Sequence, residues 1–192
     1  MAAPASPSSA SAPVPPTGPS VGHLVLNVRD IEASHRFYTE ALGFEQCGAM
    51  VESRIGDMRF YRGSPDTHHD LALVQTKEPS TAPDQWSIMG TRVGINHIAI
   101  SYPTRDEFLA RIKHLQDVGI EFLIRGNHGM THSAYVQDPD GTGIEVLYDL
   151  PPEVWEGNVD AALNFFEVLP NTGDEALDDP TDYRRFSSSN ST

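Results

Sequence analysis

Two histidines and one glutamate stand at matched places in this sequence. His23 is second in Gly22-His23-Leu24-Val25-Leu26, and His97 is second in Asn96-His97-Ile98-Ala99-Ile100. Glu145 interrupts the apolar run Ile144-Glu145-Val146-Leu147-Tyr148. Taken singly, each has a plain structural account: a histidine satisfied in a core, a glutamate pointing outward from an alternating strand. Taken as a set, two imidazoles and a carboxylate are the ligands of a facial triad, which holds non-haem Fe(II) and leaves positions open for substrate and dioxygen. A neutral imidazole ligand needs its second nitrogen oriented, so hydrogen-bonding partners are expected beside it.

These residues have to be positioned by the elements around them. Residues 22–28 have strand composition, and Asp30 can cap a helix over 31–42 that Gly43 stops. Residues 44–53 and 58–61 are strands about the Gly56-Asp57 turn, and 69–75 is another. Beyond a Pro-, Ser- and Asp-rich stretch the pattern restarts with a strand at 95–100. A helix over 104–118 follows, with Phe108, Leu109, Ile112 and Leu115 on one face and Gly119 at its end. Strands are expected at 120–124, 134–137 and 144–148, with His128 and His132 in the first intervening loop and Asp138-Pro139-Asp140-Gly141 as a turn in the second.

The chain is thus one β-α-β-β-β unit used twice, over 21–76 and 95–150, joined by a linker at 77–94. His23 to His69 spans 46 residues and His97 to Glu145 spans 48, so the closing strands correspond as the opening ones do. The expected fold is α+β, with two βαβββ modules forming a curved, open barrel around a metal cavity. Pseudo-twofold symmetry would bring His23, His69, His97 and Glu145 towards that cavity. Residues 1–20, nearly all Ala, Ser, Pro and Gly, form an arm too polar to offset its ordering entropy. Residues 151–170 carry a C-terminal helix over 158–168, capped at Asn158 and docking as a lid or dimer contact. Residues 171–192 are an acidic, Ser-rich tail expected to be without order.

A net charge of −14 argues against nucleic acid and against an anionic membrane surface as partner. Part of the acid lies in the tail, at Asp174, Glu175, Asp178 and Asp179, where it serves solubility. The single cysteine, Cys47, forbids an intrachain disulfide and suits a reducing, cytoplasmic setting. No run approaches the roughly 18 apolar residues of a membrane span. The N-terminus lacks the basic and apolar regions of a signal peptide.

The paired units with His23, His97 and Glu145 resemble the vicinal oxygen chelate (glyoxalase/bleomycin resistance/dioxygenase) superfamily over residues 21–150. Within it the chain is most similar to the single-domain type I extradiol ring-cleavage dioxygenases, of the catechol 2,3-dioxygenase and biphenyl-2,3-diol 1,2-dioxygenase type. Their signature runs Gly, any residue, His, then an aliphatic–Tyr pair, Asp-Pro, a turn Gly and Glu. It stands here as Gly126-Asn127-His128, Ala134-Tyr135, Asp138-Pro139, Gly141 and Glu145. Ala134 departs mildly, since the family prefers a larger aliphatic residue. The better-known enzymes have two pairs of modules, so the likeness is to their catalytic half.

The resemblance implies that His23, His97 and Glu145 bind Fe(II), with Mn(II) as the other candidate. It implies a small aromatic diol and O2 as substrates and a ring-opened semialdehyde as product. His69 would be the acid–base group, and His128 and Tyr135 would hydrogen-bond the substrate oxygens. A homo-oligomer is expected from the same source. His132 ranks second to His128. His68 and His114 are expected at the surface, and His35 on a polar helix face. Tyr148 and Trp155 are expected in packing, and Cys47 as a small buried residue. Two alternatives stay open: glyoxalase-like or thiol-transferase metal chemistry, and a non-catalytic, antibiotic-sequestering protein. Glyoxalase I would place an acidic ligand where this sequence has His69.

Overall fold

A computed structural model of the chain describes residues 21–50, 56–79 and 94–187. The expected arm at 1–20, the end of the strand at 51–53, most of the linker and the last five residues lie outside the described residues. The fold is α+β and is built from two sheets. In the first, β1 (Leu24–Val28), β2 (Glu45–Met50), β3 (Met58–Arg62) and β4 (Leu71–Gln75) run in the order β1-β4-β3-β2. In the second, β5 (His97–Ser101), β6 (Ile124–Asn127), β7 (Thr131–Gln137), β8 (Gly143–Asp149) and β9 (Glu167–Leu169) run β5-β8-β7-β6-β9. β1 pairs parallel with β4 as β5 pairs parallel with β8, and the other ladders are antiparallel. The repeat read from the sequence is therefore a repeat of sheet topology.

The sheets do not close on one another, as the expected open barrel requires. β1 and β5 are both edge strands, and among the described residues no ladder joins them. The two units meet through their helices instead. Asp30 caps α1 (Ile31–Arg36), its carboxylate accepting from Glu32 N at 2.9 Å and Ala33 N at 3.0 Å. A π-helical turn over Phe37–Ala41 continues α1 to Gly43. The last carbonyls of a helix have no partners within it. Here the second unit supplies them. Arg111 Nη1 donates to Ala41 O and the Tyr102 hydroxyl to Leu42 O, both at 2.7 Å, and His114 Nε2 lies 2.8 Å from Glu40 O. Gly43 has φ +83°, and a Cβ there would meet the Arg111 guanidinium, so the turn needs glycine twice over. α2 (Arg105–Asp117) is capped by Thr104 and buries Phe108, Ile112 and Leu115. They share one core with Tyr38 and Leu42 of the first unit and Val136, Ile144 and Val146 of the second sheet.

Three expectations shift. The strand expected at 120–124 starts instead at Ile124, and β7 starts at Thr131, so His132 lies in a strand rather than a loop. Arg125-Gly126-Asn127 has loop composition, yet Arg125 is buried because an acid from the C-terminus reaches it. After α3 (Pro152–Trp155), the helix expected over 158–168 is replaced by α4 (Val159–Leu163) and then β9, which pairs with the free edge of β6. Asn158 does cap α4, accepting from Ala161 N at 3.0 Å. The tail expected to lack order is structured to residue 187: a 3-10 turn covers Asp174–Leu177 and Asp179 is only 3% exposed. Asp179 thus serves packing, not solubility. Among the described residues no helix is long and apolar enough to cross a membrane.

Candidate functional site

Strand register decides which side chains can meet. Ala99 pairs with Glu145, and Glu145 with Tyr135. Side chains alternate between faces along a strand. His97, Glu145, Ser133 and Tyr135 therefore share one face of the second sheet, while Ile98, Ile144, Val146 and Val136 turn to the helix-side core.

Glu145 does not point to solvent; it is 6% exposed. Its Oε1 accepts from the Ser133 hydroxyl at 2.6 Å and from the Tyr135 hydroxyl at 2.8 Å. Its Oε2 faces His97 Nε2 at 3.1 Å. His97 Nδ1 lies 2.7 Å from Asn96 Oδ1, an atom that only accepts, so Nδ1 carries a proton. In neutral imidazole Nε2 then presents a lone pair to a carboxylate oxygen. Two acceptors at that distance need a proton or a cation between them. The donor set, with each ligand's far atom held by a neighbour, fits a metal ion.

His128 follows β6, with its N–H on Thr131 O at 2.9 Å. Its Nε2 is 3.1 Å from the Tyr135 hydroxyl and 3.8 Å from Glu145 Oε1. Burial holds the imidazole below its usual range, against the opposing pull of the Glu145 charge. Burial, then the Glu145 charge, pushes the Tyr135 phenol far up, so it stays a hydrogen-bond donor. The Phe166 ring packs on His128 with centroids 5.0 Å apart. It also lies over Gly126, where a Cβ would collide with the ring.

His23 and His69 form a second group, on the first sheet. His23 immediately precedes β1 and is exposed, and its ring lies 4.6 Å from that of His69. Leu24 N donates to Asp70 O at 2.9 Å, which sets the two histidines side by side. His68 Nδ1 is 2.7 Å from His69 Nδ1, and Phe60 packs edge-on at 5.1 Å. Partial desolvation, then His68 and His23, lower the His69 pKa. The structure thus gathers His97, Glu145, His128 and Tyr135 in one place and His23 with His69 in another. Among the described residues no three His, Cys, Asp or Glu side chains converge closely enough to hold a metal.

Sequence reasoning missed Ser133, Asn96 and Phe166. Ser133 was findable, since it sits two residues before Tyr135 on one alternating strand. His132 is fully buried on the opposite face with Tyr148; His68 is exposed, and His114, expected at the surface, is half-buried against Glu40 O. His35 Nδ1 lies 3.1 Å from the Tyr61 hydroxyl. Trp155 donates to Leu150 O at 3.2 Å, a packing role. Cys47, expected buried, is exposed, because β2 is an edge strand.

The Glyoxalase/Bleomycin resistance protein/Dioxygenase superfamily matches residues 20–146. The chain is 27% identical over 162 residues to catechol-2,3-dioxygenase of Bacillus subtilis (strain 168), which covers 81% of this chain and 53% of that protein. It therefore spans about half the length of that relative. It is 29% identical over 161 residues to lactoylglutathione lyase of Pseudomonas putida, covering 67% of this chain and 84% of that one. A glyoxylase/bleomycin resistance protein/dioxygenase domain from Frankia sp. EAN1pec superposes with a TM-score of 0.58 at 18% identity, over 70% of this chain and 100% of that one. Sheet topology, repeat and sequence match agree: the chain belongs to the glyoxalase/bleomycin resistance protein/dioxygenase superfamily.

Proposed function

We propose that this chain is an Fe(II)-dependent extradiol dioxygenase that opens a catecholic ring beside its vicinal diol, using O2, to give a semialdehyde. The observation that carries this is the Tyr135 hydroxyl, which sits between Glu145 Oε1 and His128 Nε2 within one hydrogen bond of each. A site built only to hold a metal needs neither His128 nor a buried phenol. His97 and Glu145 would hold the iron; the family resemblance adds His23 as third ligand, although in this structure it stands with His69 on the first sheet. The iron, when bound, supplies the centre at which diol and dioxygen are held together and exchange electrons.

The chain's own groups do the rest. His128, kept neutral by burial, stands beside the diol, and in the tautomer whose proton sits on Nδ1 its Nε2 can take a proton from a diol hydroxyl. Tyr135, kept protonated, donates to oxygen that gains charge as the ring opens. Ser133 fixes the Glu145 carboxylate. His69, on the first sheet, is the acid–base group for the oxygen side.

The test is to load the full chain with Fe(II) without air and then mix it in air with catechol, 3-methylcatechol, 2,3-dihydroxybiphenyl and L-DOPA. A yellow product that requires both iron and O2 is expected. No product from any diol, with iron bound, overturns ring cleavage of these diols. A second activity has one observation in its favour, the 84% coverage of the Pseudomonas lactoylglutathione lyase. Methylglyoxal with glutathione in the same assay decides between them. Bound ligand without turnover or metal would instead mark a sequestering protein.

A further inference from the structure

A cavity of about 450 Å³ lies behind the second sheet, between β6, β7 and the C-terminal segment. Its walls include His132, Phe165, Phe166 and Tyr183. His132 pairs across the strands with Asn127 and Tyr148, whereas Tyr135 pairs with Glu145. His132 and Tyr135 are an odd number of residues apart on one strand, so the cavity floor and the candidate active site use opposite faces of the sheet. Phe166, at the sheet edge, touches both.

His132 is fully buried. Its Nδ1 is 3.0 Å from Asp179 Oδ1. That carboxyl is held ionised: burial raises its pKa, but hydrogen bonds from His132 and Tyr148 and the Arg125 charge lower it further. An ionised carboxylate only accepts, so Nδ1 carries a proton, and in the neutral imidazole Nε2 keeps its lone pair. Nε2 has no partner among the described residues and is shielded from solvent. Asp179 does not need this histidine, because Arg125 Nη2, Arg105 Nε and the Tyr148 hydroxyl already donate to it. Buried acceptors left without a donor are uncommon in native proteins. One water would satisfy the nitrogen but takes only about 30 Å³. A volume of about 450 Å³ lies in the range of small-molecule pockets.

We propose that this cavity binds a small phenol, its ring among Phe165, Phe166 and Tyr183 and its hydroxyl donating to His132 Nε2. Two carboxylates at the rim, Glu167 and Asp182, face one cation, Arg184. Neutral and cationic phenols are therefore favoured over carboxylated ones. A monohydric phenol has no second hydroxyl with which to chelate a metal, so it distinguishes this site from the candidate active site.

Titration calorimetry on the full chain with tyramine, phenol and 4-hydroxybenzoate tests this. Saturable binding is expected, with tyramine tightest and 4-hydroxybenzoate weaker by about tenfold or more. His132→Phe, which keeps a ring and removes the acceptor, is expected to weaken tyramine by about tenfold. Glu145→Gln, on the other face, is expected to leave tyramine binding unchanged. Absence of saturation at millimolar phenol overturns the proposal. So does binding lost in Glu145→Gln and kept in His132→Phe, which would place the phenol at the front of the sheet. If His132→Phe does not fold, Asp182→Asn at the exposed rim is expected to narrow the gap between tyramine and phenol. An unchanged gap counts against the site. None of these readouts depends on iron or ring cleavage.

Discussion

Arg125 Nη2 donates to Asp179 Oδ1 at 2.8 Å, and neither side chain has any exposure. The pair joins β6, inside the second sheet, to a segment 54 residues later. Arg125 also donates to Ala176 O, and Arg105 from α2 reaches the same carboxylate. These contacts hold residues 171–187 on the sheet. Removing one member of a buried pair strands the other's charge, at a cost of about 3–5 kcal/mol. Asp179→Ala is expected to lower the unfolding free energy by that amount, read as a lower urea midpoint with the slope unchanged. Replacing both members with apolar residues of similar volume is expected to cost less. A single variant within about 1 kcal/mol of wild type would show that the pair is not needed.

The same carboxyl makes stability depend on acid pH. Its folded pKa is depressed, because hydrogen bonds and charge from His132, Tyr148 and Arg125 outweigh the effect of burial. A depressed folded pKa stabilises above the unfolded value and loses that contribution as pH falls through the folded one. The unfolding free energy of wild type relative to Asp179→Asn is therefore expected to be flat from about pH 7 to 5 and to shrink below about pH 4. Denaturant titrations at several pH values measure the difference directly. A gap that widens in acid contradicts the sign.

Ser133 and Tyr135 donate to the same oxygen of Glu145, at 2.6 and 2.8 Å, yet only Tyr135 reaches His128. The two hydroxyls should therefore separate on mutation. Ser133→Ala loosens the carboxylate and is expected to weaken Fe(II) binding about 10–100-fold, with turnover of the loaded protein little changed. Tyr135→Phe removes the donor nearest the substrate oxygens and is expected to cut turnover about 10²–10³-fold. Iron titration alongside initial rates reads both. Equal effects of the two variants on both quantities would remove the distinction.

Much of this was legible in the sequence because it obeys short-range periodicity. The repeat follows from Gly-His-Leu and Asn-His-Ile openings at matched intervals, and Asp30, Thr104 and Gly43 mark helix ends by local chemistry. The face shared by Glu145 and Tyr135 follows from the turn at 138–141, which sets the register of β7 against β8. What was not legible depends on distant partners. Arg125-Gly126-Asn127 looks like a loop until Asp179 is known to reach it. Phe165 to Val168 resembles a helix face, and only the free edge of β6 makes strand pairing the better outcome. Symmetry says that two units pair but not through which surface, and here the helix carbonyls capped by Arg111 and Tyr102 join them.

The His23 and His69 rings lie 4.6 Å apart, tilted to one another, on the first sheet, but the proposed function gives them different work. If His23 is the third iron ligand, His23→Ala is expected to lose iron as completely as His97→Ala and Glu145→Ala do. If His69 moves protons, His69→Ala is expected to retain iron and slow ring opening by about 10²–10⁴-fold. Metal content by mass spectrometry and single-turnover rates in air separate the two roles. Iron retained in full by His23→Ala would confine the metal centre to the second sheet, with His97 and Glu145 as its protein ligands. Iron lost in His69→Ala would make His69 a ligand, the position where a glyoxalase-type site carries its fourth donor, and would shift the expected chemistry towards the lyase.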